Sequence, residues 1–385
     1  MDAQKRNEKS FRIAISGYYG YKNSGDEAVL RSILLALDEQ GKKQGVQIVP
    51  VVLSSDPAWT SQMYGVEAAH RMRPAELLGA LRSCDGLISG GGSLLQDATS
   101  SKTIPYYAAV IKLAQWLGKP TFIYAQGIGP VNRGWLKPMI RHVMKRSAYV
   151  SVRDAQSAEL LASLGVRPEG IELVPDPVMG MPLPSGSNRA DNLRDKPAGN
   201  IPVVGVSLRD WRSDGADMDR AAAALIELSQ RRAVCFRFLP FHLPPDRITS
   251  EKVMQRLEGK LGDGCKMELV DVKDDPQLML LEVSRCDLLF GMRLHALIYA
   301  ANQSVPMLGL SYDPKIDQFL ARLGLSATGT TERLDAGLFA DEACRLLDQK
   351  AAWLEQHQAA IDQLRHQSQQ PAQQMIQFLR HNRSR

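Results

Sequence analysis

RIAISGYYGYKNSGDEAVLRSILLALDEQ, residues 12–40, passes from a β-branched apolar run through a glycine-rich turn into an amphipathic helix. RIAIS (12–16) predicts a first strand, and the apolar spacing of EAVLRSILLALDEQ (27–40) predicts a helix. In the turn, Gly17, Gly20 and Gly25 permit tight backbone paths. Ser24, Gly25 and Asp26 stand where a helix N-cap belongs, so free backbone amides should face a ligand. The spacing is neither the dinucleotide GxGxxG pattern nor a P-loop. It announces a strand-to-helix crossover without naming what binds there.

The same alternation continues outward. VQIVPVVLS (46–54), GLISGGGS (86–93), TFIYAQGIG (121–129), AYVSVRD (148–154) and IELVPD (171–176) read as strands, with SAELLASLG (157–165) as a short helix. PLPSGSNRADNLRDKPAGN (182–200) is polar and rich in turn formers, and reads as a linker. The pattern then restarts with strands in IPVVGVSLRDW (201–211), AVCFRFLPF (233–241), KMELVDV (266–272), DLLFG (287–291) and PMLGLSY (306–312). Helical stretches at 217–230, 249–260, 276–286, 293–302 and 314–324 separate them. The expected layout is an α/β domain over 1–181, a linker over 182–200, a second α/β domain over 201–334 and a helical tail over 335–385, broken or kinked at Pro371. Two doubly wound halves facing a central cleft follow, with ligands beyond the carboxyl ends of the strands.

Composition narrows the function classes. The 385 residues are 44% hydrophobic and 23% charged, as in an ordinary globular protein. The net charge of +5, from 47 Lys and Arg against 42 Asp and Glu, fits phosphorylated substrates or an anionic surface. No dense basic run with interleaved aromatics points to nucleic acid. Cys84, Cys235, Cys265, Cys286 and Cys344 are scattered, with no metal-ligand spacing, so reduced cytoplasmic thiols and no metal are expected. MDAQKRNEKSFRIAISG does not read as a signal peptide, and no segment reads as a membrane span.

Several strand ends carry residues suited to chemistry. GGGSLLQD (90–97) offers Gly91 and Gly92 for close ligand approach, with Ser93 as a candidate cap for the next helix. AQGIGP (125–130) offers Gly127 in the same way. SVRD (151–154) ends a strand with Arg153 and Asp154, and SLRDW (207–211) repeats the arrangement with Arg209. Arginine there suits carboxylate or phosphate, because its planar fork bonds them bidentately. Trp211 could stack on a sugar or sit in a core or linker contact. GMRLHALIYAANQSVPMLGLSYDPK (291–315) sets Arg293 and His295 near a helix start and Lys315 after the following strand. Together these form an anion site with one group able to handle protons.

GYYGYKNSGDEAVL, GGGSLLQD, AQGIGP, SVRD and GMRLHALIYA, in this order, resemble the polysaccharide pyruvyl transferase family, in particular its CsaB-like bacterial members, over roughly residues 11 to 325. The resemblance implies a GT-B-like fold of two Rossmann-like domains. It implies phosphoenolpyruvate as donor substrate, no cofactor, and a sugar acceptor, often ManNAc in a lipid-diphosphate-linked disaccharide. The product would be a pyruvyl ketal, which in cell-wall polymers anchors S-layer proteins. Arg153, His295 and Lys315 match the family's donor-site residues and, with Arg293, are expected to converge at the cleft.

Two other readings use the same residues. A GT-B glycosyltransferase would take a nucleotide sugar, and a non-catalytic glycan-binding protein would release no phosphate. A lipid-linked acceptor also implies peripheral contact with the inner face of the membrane. The tail carries Lys350, Arg365, Arg380, Arg383 and Arg385 among Trp353, Leu354, Ile361, Leu364, Met375, Ile376 and Leu379, and could rest on an anionic leaflet. Packing back on the core, or against a second subunit, is the competing expectation for it.

Overall fold

The structure, a computed structural model, describes residues 9–98, 100–187, 201–271 and 274–382. The chain divides into two compact units, Met1–Met181 with Leu364–Arg385, and Pro182–Gln363. Residues 188–200 of the expected linker lie outside the described residues.

The first unit opens with β1 (Lys9–Tyr19), α1 (Ser24–Gln44), β2 (Val46–Ser54), α2 (Pro57–Tyr64), β3 (Glu67–His70) and α3 (Pro74–Ser83). It continues through β4 (Gly86–Gly90), α4 (Thr103–Trp116), β5 (Thr121–Gln126), α5 (Lys137–Met144), β6 (Tyr149–Val152), α6 (Ala155–Ser163) and β7 (Glu172–Leu173). The strands pair in parallel in the order β3-β2-β1-β4-β5-β6-β7. Central strands β4 and β5 are buried along their whole length, which is why they read as continuous apolar runs rather than alternating ones.

The second unit repeats the plan with β8 (Val203–Ser207), α7 (Ala216–Arg231), β9 (Cys235–Phe238), α8 (Pro245–Leu257), β10 (Lys266–Leu269) and α9 (Pro276–Ser284). There follow β11 (Leu288–Gly291), α10 (Leu294–Asn302), β12 (Met307–Ser311), α11 (Pro314–Arg322), β13 (Gly329–Thr330) and α12 (Ala336–Asp348). Its strand order is β10-β9-β8-β11-β12-β13, again parallel. In each sheet the direction of winding reverses beside the unit's first strand, between β1 and β4 and between β8 and β11. Crevices for ligands open at such reversals.

The end of the chain forms α13 (Lys350–Ser368) and α14 (Gln370–Asn382), separated just before Pro371. Proline sits easily in a first helical turn, where its missing amide has no partner to lose. Trp353, Ile361, Leu364, Met375, Ile376 and Leu379 are buried. These apolar side chains, expected as a possible membrane face, are used in packing. Phe378 packs edge-on against Phe122 of β5, with ring centroids 5.5 Å apart. No helix among the described residues is long and apolar enough to cross a membrane.

Two local expectations change. Asn23, not Ser24 to Asp26, caps α1, its side-chain oxygen accepting from the Gly25 amide at 3.1 Å. The chain reaches helical geometry one residue sooner than the Ser-Gly-Asp run suggests. Ser93 caps no helix, because α4 starts only at Thr103. Gly91, after β4, has φ +49°, and a Cβ there would come within 1.9 Å of a Val29 methyl carbon on α1. Gly91→Ala is therefore expected to cost about 1–3 kcal/mol through strain and clash. Calorimetry should show a Tm several degrees lower, and an unchanged Tm would mean that the turn relaxes freely.

Candidate functional site

At the reversal in the first unit, the turns after β4 and β5 are sewn into one surface. The Gly127 amide donates to Gly92 O at 2.8 Å, and the Gly129 amide donates to Leu95 O at 2.8 Å. Asp97 is nearly fully buried and accepts from the amides of Asn132 and Arg133, both at 2.8 Å. Those bonds, Asn132's first, hold its carboxyl below the usual range. The aspartate of GGGSLLQD thus fixes the loop and leaves the rim to others.

Arg153, just past β6, crosses this surface. It donates to Asp176 Oδ2 at 2.8 Å and to Ser93 Oγ at 3.0 Å. Its side chain is 9% exposed and that of Asp176 5%. Breaking so buried a pair costs about 3–5 kcal/mol, so the guanidinium is firmly oriented. A Cβ on Gly127 would approach Arg153 Nε to 3.0 Å, so the arginine lies directly on this glycine. Asp154 caps α6, accepting from the Ser157 amide at 2.8 Å.

Two neighbouring carboxylates on α1 differ sharply. Glu27 is fully buried and accepts from the Gly20 amide at 2.9 Å and from Tyr64 Oη at 2.8 Å. Asp26 is half-buried, and its carboxylate accepts no hydrogen bond from the described residues. A Cβ on Gly92 would meet Asp26 Oδ1 at 2.9 Å, so this carboxylate lies over the glycine turn. Loss of water, then the charge of Glu27, pushes its pKa up to about 7 against the pull of Arg153, with Asp176 adding to the rise and Arg71 opposing it.

Arg71 follows β3 and is 5% exposed. It donates to Gly17 O at 2.7 Å and to Tyr107 Oη at 3.0 Å. The rings of Tyr106, Tyr107 and Tyr21 lie 4.6, 5.2 and 5.7 Å from its guanidinium carbon. Aromatic faces rather than a carboxylate surround this cation.

The second unit builds its site on the equivalent edge. Arg209 follows β8, Arg293 is the N-cap of α10 after β11, and His295 is the second residue of α10. Lys315 is the second residue of α11, after the adjacent strand β12. All four therefore stand at the carboxyl edge of one sheet, three of them at its reversal. Arg293 forks onto Asp246, with Nε 3.0 Å from Oδ2 and Nη2 bonded to Oδ1. Asp246 is 1% exposed and also accepts from the His242 amide at 2.9 Å. Burial, then Arg293, holds the His242 imidazole below its ordinary pKa, which favours the neutral ring near pH 7. Arg209 donates to Tyr312 Oη at 3.2 Å and lies 5.0 Å from the Trp211 ring and 5.4 Å from that of Tyr312. No acidic side chain among the described residues forms an ion pair with it. Trp211 is 49% exposed and packs on Tyr312, so it belongs to this edge and not to a core.

Arg153, Asp26, Gly91, Gly92, Ser93 and Gly127 thus gather in the first unit, with Gly25 in the first turn of α1. Arg209, Arg293, His295 and Lys315 gather in the second. Asp176, Glu27, Arg71, His242 and Asp246 escaped the sequence reading. Asp176 and Asp246 become visible only as partners of arginines 23 and 47 positions away.

Solved structures with similar folds share 15% identity or less with this chain and speak for the fold alone. A putative UDP-N-acetylglucosamine 2-epimerase from Listeria monocytogenes superposes with TM-score 0.61 at 13% identity, covering 91% of each chain. Anabaena HepE, solved with UDP and glucose, gives 0.60 at 15%, covering 96% of this chain and 100% of its own. A Rickettsia africae glycosyltransferase gives 0.63 at 12%, covering 97% and 98%. The fold is of the GT-B type. No curated protein sequence matches the chain. The sequence pattern named "Polysaccharide pyruvyl transferase" matches residues 23–314, from the cap of α1 to the first turn of α11. With most of its length inside that match, including Arg153, Arg209, Arg293 and His295, the chain belongs to the polysaccharide pyruvyl transferase family.

Proposed function

We propose that the chain takes its pyruvyl group from phosphoenolpyruvate and closes it as a ketal on a sugar, ManNAc of a lipid-diphosphate-linked cell-wall precursor, as in CsaB-like members. The observation that carries the donor assignment is the second unit's sheet edge, where Arg209 has no acidic ion-pair partner among the described residues and stands on one edge with Arg293, His295 and Lys315. Phosphoenolpyruvate carries a carboxylate and a phosphate, and both need cations. Arg209 and Lys315 supply charge, while Arg293 is held in place by Asp246. Arg153 is a donor-site residue by its place in SVRD.

Ketal formation adds a proton to the methylene carbon and leaves an oxocarbenium-like centre at the neighbouring carbon. Two sugar hydroxyls attack that centre in turn, and phosphate departs. His295 is the acid for the first step, since imidazole exchanges protons near neutral pH. Cations at the leaving phosphate stabilise the charge that develops there. A lipid-linked acceptor would put the protein at the cytoplasmic face of the membrane, and its ketal in the wall polymers that retain S-layer proteins.

Incubation with phosphoenolpyruvate and a panel of lipid-diphosphate disaccharides should yield a product heavier by one pyruvyl group. Turnover with UDP-sugars and none with phosphoenolpyruvate would overturn the reading. His295→Ala is expected to lower kcat about 10²–10⁴-fold in a folded chain. Lys315→Ala should chiefly raise KM for phosphoenolpyruvate, because its task is charge neutralisation. Normal steady-state constants in either variant would remove that residue from the site.

A further inference from the structure

We propose that Asp26 is the base that takes the proton from the attacking acceptor hydroxyl, and that the sugar ring rests against the Tyr18–Tyr21 pair; this rests on the reading under Proposed function. The neighbouring carboxylates around the glycine turns are engaged within the fold. Glu27 holds Gly20 and Tyr64, Asp97 holds the loop after β5, Asp154 caps α6, and Asp176 holds Arg153. Asp26 alone of these carboxylates accepts no hydrogen bond from the described residues. It lies over Gly92, at the reversal between β1 and β4, where the missing side chain lets the carboxylate settle onto the turn at the edge where ligands bind in such sheets.

The neighbouring surface suits a sugar. Tyr18 and Tyr21 stack with ring centroids 4.1 Å apart and planes 10° apart, and they remain 41% and 45% exposed. Exposed aromatic faces offer an apolar platform with polar tips, which matches the mixed faces of a pyranose. Tyr18 is near enough that the charge of Asp26 helps raise its phenol pKa, after burial and Tyr21. A ring on this shelf would lie on the Asp26 side of the first unit's edge.

The chemistry balances. The hydroxyl O–H bond breaks as its oxygen bonds to C2 of phosphoenolpyruvate, and the proton passes to Asp26. C3 gains one proton and becomes a methyl group. When the second hydroxyl bonds to C2, the C2–O bond to phosphate breaks and its electron pair leaves on phosphate oxygen. The two hydroxyls lose two protons in all; C3 takes one equivalent, and hydrogen phosphate carries away the other.

The groups facing Asp26 are Glu27 of α1, Tyr18 and Tyr19 of β1, Tyr107 of α4, Arg71 after β3, Arg153 after β6 and Asp176 after β7. Burial sends Tyr19 and Tyr107 well above neutrality, so they stay protonated in the working range. A base is active only when deprotonated, so kcat/KM for the acceptor should rise with pH through about 7, the value of Asp26.

The test uses the full chain, phosphoenolpyruvate and a lipid-diphosphate disaccharide. Asp26→Asn is expected to lose about 10²–10⁴-fold in kcat. It should bind phosphoenolpyruvate with unchanged Kd by calorimetry and should lose the rise with pH. Asp26→Glu, which keeps a carboxylate, should keep that rise at a lower rate, an outcome that a purely structural role would not produce. Tyr18→Ala should raise KM for the acceptor and leave kcat near normal. If the unaltered chain makes the ketal and Asp26→Asn makes it as fast with the same pH profile, this assignment alone falls. If the unaltered chain makes no ketal, both readings fall.

Discussion

Parallel pairing of β1 with β4, and of β8 with β11, is the constraint on which the rest depends. Each pairing joins strands whose crossovers wind away in opposite directions, so the backbone at their carboxyl ends is left uncovered. Every candidate ligand residue in either unit lies on an edge that such a reversal opens. The fully buried strands beneath it keep these ends fixed. Tyr19, wholly buried at the end of β1, donates from Oη to Gly90 O at 3.2 Å and ties one lip of the first reversal to the other.

On that frame the two units hold charge differently. In the first, Arg153 and Asp176 neutralise one another, Arg71 is held by tyrosines, and Asp26 accepts no hydrogen bond from the described residues. In the second, Asp246 consumes Arg293's charge to fix its direction, while Arg209 is braced by aromatic faces and remains available. An open carboxylate suits the removal of a proton from a hydroxyl, and an open guanidinium suits the holding of an anion. The contrast between Asp26 and Glu27 shows how finely this is set. Adjacent residues on one helix face different surroundings: Glu27 is wholly buried and hydrogen-bonded, while Asp26, which accepts no hydrogen bond from the described residues, has its pKa raised to about 7.

Much of this was legible in the sequence where a short-range rule applies. β-branched runs followed by glycines mark the strand ends, so the sequence alone places Gly91, Gly92, Gly127, Arg153, Arg209 and Arg293 at sheet edges. α2 to α5 and β3 were not picked out. β3 is only four residues of mixed polarity, and its identity comes from pairing with β2. Ser93 was misread as a cap because glycine followed by serine imitates one, although the chain runs nine more residues before α4. Arg71, Asp176, His242 and Asp246 carry no local signature at all. Their roles arise from partners far along the chain, brought near by the sheet order. The tail's apolar spacing was visible, but spacing alone does not distinguish a face that packs on protein from one that meets lipid.

On the proposed reading, the vinyl carbon of phosphoenolpyruvate becomes the methyl group of a sugar ketal. Running the transfer in deuterated water and reading the product methyl by NMR tests it most directly. One solvent-derived deuterium in the methyl group of a pyruvyl ketal is the predicted result. A product without a ketal, or a ketal whose methyl carries no solvent deuterium, would contradict the account.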